Sequence, residues 1–132
     1  MRTFKSFVLV TLIVMQSAST QAVDLTGAWT IDASACGDIF TKENNKLAFK
    51  QDADLHAGGF IVQGKQITGT FNKCTVKSLH DDGSNMHVIA SCSDGVAVSD
   101  VAFDLKMSGE NKITLSRREP VPVEMPYSRC SM

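Results

Sequence analysis

The segment Cys74-Thr75-Val76-Lys77-Ser78-Leu79-His80-Asp81-Asp82-Gly83-Ser84-Asn85-Met86-His87-Val88-Ile89-Ala90-Ser91-Cys92 decides the fold. Its centre is a dense turn signal, because Asp, Asn and Ser side chains bond back to the local backbone and Gly tolerates positive φ. Facing residues of an antiparallel hairpin have a constant index sum. Pairing Cys74 with Cys92 therefore centres the hairpin on Gly83. The same register pairs Val76 with Ala90, Ser78 with Val88 and His80 with Met86, and sends Thr75/Ser91 and Lys77/Ile89 to the other face. A mostly apolar face and a cysteine pair ask for one register. A hairpin locked by Cys74–Cys92 is expected, with His80 and His87 on opposite faces.

The remaining cysteines, Cys36 and Cys130, then tie an early segment to the tail. Zinc needs close ligand pairs such as C-x-x-C. No two of these cysteines are closer than eighteen residues, so no metal is expected. An even count in a small exported domain is a disulfide pattern.

Outward from the hairpin, short alternating segments recur between Gly/Asn/Asp turns. Trp29 and Ile31 share a face in Gly27-Ala28-Trp29-Thr30-Ile31-Asp32. Ala33 to Lys42 has room for one or two helical turns capped by Asp32 or Ser34, broken at Asn44-Asn45. Lys46 to Lys50 is a strand candidate. Phe60-Ile61-Val62 and Ile67 to Phe71 flank a turn at Gln63-Gly64-Lys65-Gln66. Val101, Phe103 and Leu105 alternate with Ala102, Asp104 and Lys106, and Ile113 and Leu115 follow the turn Ser108 to Asn111. Pro120, Pro122 and Pro126 should hold residues 119–126 extended and outside any central strand. The fold class is all-β: a small antiparallel barrel or sandwich of seven or eight strands, one short helix and two disulfides. Closure into a barrel is preferred because it removes exposed edges.

The N-terminus sets the compartment. Arg2 and Lys5 precede the apolar run Phe7 to Met15, and Ser17 to Ala22 is small and polar, ending Thr20-Gln21-Ala22. This is the order of a secretory signal peptide cleaved after Ala22. The apolar run of nine residues is too short to span a bilayer, which needs roughly 20. Residues 23–132 then form one domain, periplasmic or secreted. It carries eleven Lys/Arg against fourteen Asp/Glu, a net charge of −3. The basic residues are scattered, which disfavours nucleic acid, and no basic amphipathic helix invites a membrane surface.

Signals for enzyme chemistry are sparse. There is no P-loop, G-x-G-x-x-G after a strand, H-E-x-x-H or G-x-S-x-G. His56, in Asp52-Ala53-Asp54-Leu55-His56-Ala57-Gly58-Gly59, is best read as part of a solvated turn. No catalytic residue and no cofactor are assigned.

The opening Leu25-Thr26-Gly27-Ala28-Trp29-Thr30 resembles the Gly-x-Trp first-strand signature of lipocalin-like (calycin-type) barrels. The resemblance implies that Trp29 closes one barrel end and that a late-strand arginine, Arg117 or Arg118, lies across it. Two roles follow. A binding barrel would take a small apolar ligand against Trp29, Phe60, Phe71 and Phe103, with Ile31, Val62, Val101 and Leu105 also facing inward. Alternatively, the chain is an envelope protein–protein module, such as an inhibitor of a secreted hydrolase. The tail Tyr127-Ser128-Arg129-Cys130 is similar to the cysteine-bearing ends of small β domains that inhibit lysozyme in bacterial envelopes. Its anchors would lie in Ser108 to Lys112 or Pro120 to Tyr127.

Overall fold

The computed structural model describes residues 24–53, 58–83, 85–118 and 121–132. The expected signal segment and His56 lie outside the described residues. Eight strands close an antiparallel barrel: β1 (Gly27–Thr30), β4 (Gly59–Gln63), β5 (Gln66–Gly69), β6 (Lys73–Asp81), β7 (Asn85–Ser93), β8 (Val98–Gly109), β9 (Lys112–Arg117) and β10 (Val123–Arg129). From β4 to β10 each strand pairs with the next in sequence, and β1 closes the ring between β10 and β4. The barrel alternative is therefore the correct one.

Between β1 and β4 the chain leaves the barrel. A 3₁₀ turn (Ala33–Ala35), α1 (Cys36–Ile39) and the hairpin β2 (Phe40–Glu43) and β3 (Lys46–Phe49) form a small annex. Asp32 caps the turn, its Oδ1 accepting from Ser34 N at 2.9 Å. The expected helix to Lys42 stops at Ile39, and strand takes over at Phe40. Asn44 and Asn45 adopt φ of 52° and 63°, the left-handed pair that a two-residue hairpin turn requires. What read as a helix breaker is thus the tip of β2–β3. The annex packs Ile39, Phe40 and Ala53 onto Ala28 and Ile61 on the outer face of β1 and β4.

Both expected bridges are present, and no cysteine is free. Cys36–Cys130 joins the annex to the chain just beyond the last strand. Cys74–Cys92 links facing residues of β6 and β7, as the register required. That register holds through Val76↔Ala90 and then changes. A bulge between Val76 and Ser78 adds a residue to β6, so Ser78 faces Ile89, Leu79 faces Val88 and His80 faces His87. His80 and His87 consequently share the outer face, with ring centroids 6.2 Å apart. This corrects the expectation of opposite faces.

The proline-containing tail also departs from expectation. Val123–Arg129 is a barrel strand, with Pro126 opposite Thr114 of β9. The missing N–H is tolerated because β1 pairs with β10 only at Ser128 and Arg129. Ile31 lies beyond the end of β1 and is 38% exposed, so it does not share the inward face of Trp29.

Candidate functional site

Alternation along the strands sends Trp29, Val62, Met86, Val88, Leu105 and Ile113 inward, where all are buried. They do not fill the barrel. A chamber of about 470 Å³ lies among Trp29, Phe60, Val62, Val76, Val88, Phe103, Leu105 and Ile113. Its rim carries Asp24, Thr26, Lys65 and the half-exposed Leu79.

The Trp29 end is closed by a side chain that sequence reasoning missed. Arg129, not Arg117 or Arg118, lies over the indole, its guanidinium carbon 4.6 Å from the ring centroid. It also donates to the carbonyls of Asp24 at 2.6 Å, Thr26 at 3.2 Å and Glu110 at 3.4 Å. The indole N–H donates to the Leu25 carbonyl at 2.9 Å. Gly27, at φ 141°, adopts a backbone conformation that favours glycine, and the Arg129 stem packs against it.

Toward the opposite end, Phe60 stacks on Trp29 with centroids 6.4 Å apart and meets Tyr127 edge-on at 4.9 Å. Beyond this aromatic row is a second chamber of about 330 Å³, lined by Asn72, Val101, Arg117, Met125, Tyr127 and the Cys74–Cys92 bridge. Phe60, Ile67, Phe103 and Leu115 line both chambers. Burial raises the Tyr127 phenol above its ordinary pKa, so it remains protonated as a hydrogen-bond donor.

Of the expected ligand-binding residues, Trp29, Phe60 and Phe103 meet in this interior, and Phe71 does not. The inward period of Ile67 would carry Phe71 inside, but β5 ends at Gly69, where Gly69 N–H donates to the Asn72 carbonyl at 2.9 Å. Phe71 sits in the β5–β6 turn, 76% exposed. Of the two expected docking segments, Ser108 to Lys112 is the tight β8–β9 turn, whose Glu110 and Asn111 carbonyls accept from Arg129. The other, Pro120 to Tyr127, is mostly strand β10.

A charged cluster lies on the outside of the barrel around His87. His87 Nδ1 is 2.5 Å from Asp104 Oδ1, and Nε2 is 3.2 Å from Asp82 Oδ2. Hydrogen bonds to Asp104 and then Asp82 raise the His87 pKa above its ordinary value. Among the described residues, no group of three or more His, Cys, Asp and Glu side chains is placed to hold a metal ion.

The fold and its interior define a closed, disulfide-bonded antiparallel barrel with an apolar core cavity. No family model, curated protein or solved structure matches the chain. No helix among the described residues is long and apolar enough to cross a membrane. Two disulfides with no free thiol are the pattern of a domain that folds outside the reducing cytosol.

Proposed function

We propose that the protein is an exported binding barrel that holds a small, largely apolar molecule between Trp29, Phe60 and Phe103. The supporting observation is the chamber of about 470 Å³, which falls within the usual 300–1,000 Å³ of small-molecule sites. A barrel this narrow ordinarily fills with its own side chains or holds one small ligand. Here aromatic walls and few polar groups favour apolar surface, and the polar rim favours solvent contact at one end. The compartment fits a periplasmic or extracellular carrier.

The test uses the oxidised protein purified after export and the neutral fluorescent probe N-phenyl-1-naphthylamine. One saturable site, displaced by dodecanol and weakened at least tenfold by Val76→Phe, is expected. A folded protein with no saturable probe binding, or binding indifferent to Val76→Phe, rules the reading out.

A second reading, an envelope protein–protein module, draws on one observation. Phe71, Val96, Val98 and Val121 are 76%, 96%, 71% and 61% exposed, and the meander places their turns at the same barrel end. Apolar side chains gathered on one rim suit a partner surface. Phe71→Ser with Val98→Ser should then abolish a stoichiometric complex with an envelope hydrolase while leaving probe binding intact. A complex that persists in the double variant counts against this rim.

A further inference from the structure

We infer that Arg117 is an anion-binding residue inside the barrel, and that the ligand is a carboxylate amphiphile with its head at Arg117 and its chain directed toward Trp29. This rests on the binding reading above and names the class of molecule it concerns.

Arg117 shares the inner face of β9 with Ile113 and Leu115 and stands opposite Val123 of β10. Its Nε is buried and has no hydrogen-bond partner. Among the described residues the Arg117 side chain makes no hydrogen bond or ion pair, and no described Asp or Glu lines its chamber. Arg117 is half-buried, and its enclosed Nε meets neither solvent nor a protein partner, a loss that a hydrogen-bonding guest would recover. Arg129 offers the internal comparison. Its Nε is also unpartnered, but the rest of its guanidinium is used on three carbonyls and the Trp29 ring. Arg117 has no such employment, which leaves its fork of donors for a guest.

The surroundings specify the guest further. Asn72 and Tyr127 line the same chamber; Asn72 can add a donor to a carboxylate, and the Tyr127 hydroxyl, now donating to Met125 Sδ at 3.9 Å, can exchange that weak contact for another. The planar guanidinium matches a carboxylate in a two-point contact. Phe60, Ile67, Phe103 and Leu115 line both chambers, so an apolar chain starting at Arg117 meets only hydrocarbon on its way to Trp29. Lys65 and Lys77 line the first chamber, at the other end of the barrel; Lys77 is paired with Asp100 at 2.9 Å, which leaves Lys65 as the competing cation.

The experiment measures displacement of N-phenyl-1-naphthylamine by dodecanoate and by dodecanol from the oxidised, exported protein and its Arg117→Gln and Lys65→Gln variants. Wild type should prefer dodecanoate by roughly 10- to 100-fold, the scale of a hydrogen-bonded charge contact. Arg117→Gln should reduce that preference to near unity with dodecanol unchanged, and Lys65→Gln should leave it intact. Equal affinity for both in wild type overturns the inference while the binding reading stands. A preference that survives Arg117→Gln, or vanishes in Lys65→Gln, overturns it as well. Failure of both compounds to displace the probe removes the binding reading itself. Should Arg117→Gln not fold, carbon-13 NMR of carboxyl-labelled dodecanoate on wild type decides. A bound carboxyl titrating well below its free pKa supports the contact, and an unshifted one overturns it.

Discussion

The Arg129 guanidinium carbon lies over Trp29, 4.6 Å from the ring centroid, and the same two residues are paired across the junction of the first and last strands. One guanidinium therefore caps the interior, joins β10 to β1 and gathers the carbonyls of Asp24, Thr26 and Glu110. Arg129→Lys keeps the charge but loses the planar fork and the stacking face. We expect a loss of about 1–2 kcal/mol, or roughly 4–10 °C in Tm. Arg118→Lys, at an exposed position, should change Tm by less than about 1 °C, since surface substitutions away from such features cost little. Calorimetry of the two variants makes the comparison.

Reduction should act unequally on the two bridges. In the chain-entropy account, the 94-residue separation of Cys36 and Cys130 stabilises by about 4.7 kcal/mol and the 18-residue separation of Cys74 and Cys92 by roughly 3. Replacing Cys36 and Cys130 together by Ala should lower Tm more than replacing Cys74 and Cys92. Equal Tm with and without reductant would contradict both assignments.

Gly59 has no room for a side chain. An added Cβ would stand 2.6 Å from the Trp29 carbonyl oxygen and 2.8 Å from Phe40 Cζ. The ring can shift, but the carbonyl belongs to β1 and cannot do so without disturbing the ladder. Gly59→Ala is expected to cost about 1–3 kcal/mol, the usual scale of overpacking. Denaturant unfolding would show it as a lower midpoint at unchanged slope.

His87 should titrate visibly. Asp104 and Asp82 favour its imidazolium, so its folded pKa is raised above the ordinary value near 6.5. The stabilisation from this clasp is complete below the unfolded pKa and disappears as pH rises through the higher folded value. In Asp104→Asn the His87 pKa should fall toward 6.5 and the pH dependence should flatten. Proton NMR of the imidazole C–H signals reads both, and an unchanged titration in the variant would refute the clasp.

Much of this fold is legible in the chain. The turn around Gly83, the apolar face of β7 and the position of Cys92 jointly fix one half of the hairpin. The other half escapes because a single bulged residue near Lys77 leaves no periodic trace. Phe71 escapes for a related reason: alternation says which way a side chain points within a strand, but not where the strand ends. Pro126 argued against strand structure, yet a strand neighbour that stops at Ser128 asks nothing of its absent N–H. For the interior, Trp29, Phe60 and Phe103 were readable from periodicity. The cap is not: the resemblance points to Arg117 or Arg118 over Trp29, and Arg129 holds that place. Only the pairing of Arg129 with Trp29, and of Arg117 with Val123, separates a capping cation from an inward-facing one.

The junction of β1 with β10 rests on two residue pairs, Trp29↔Arg129 and Thr30↔Ser128, the shortest ladder in the barrel wall. It is also where the Cys36–Cys130 bond straps the annex across the wall. A staved cask held by one hoop at its narrowest joint does not part sideways. Traffic into the interior is accordingly confined to the barrel ends, one of which Arg129 caps, and its rate should follow the loosening of turns rather than the separation of strands.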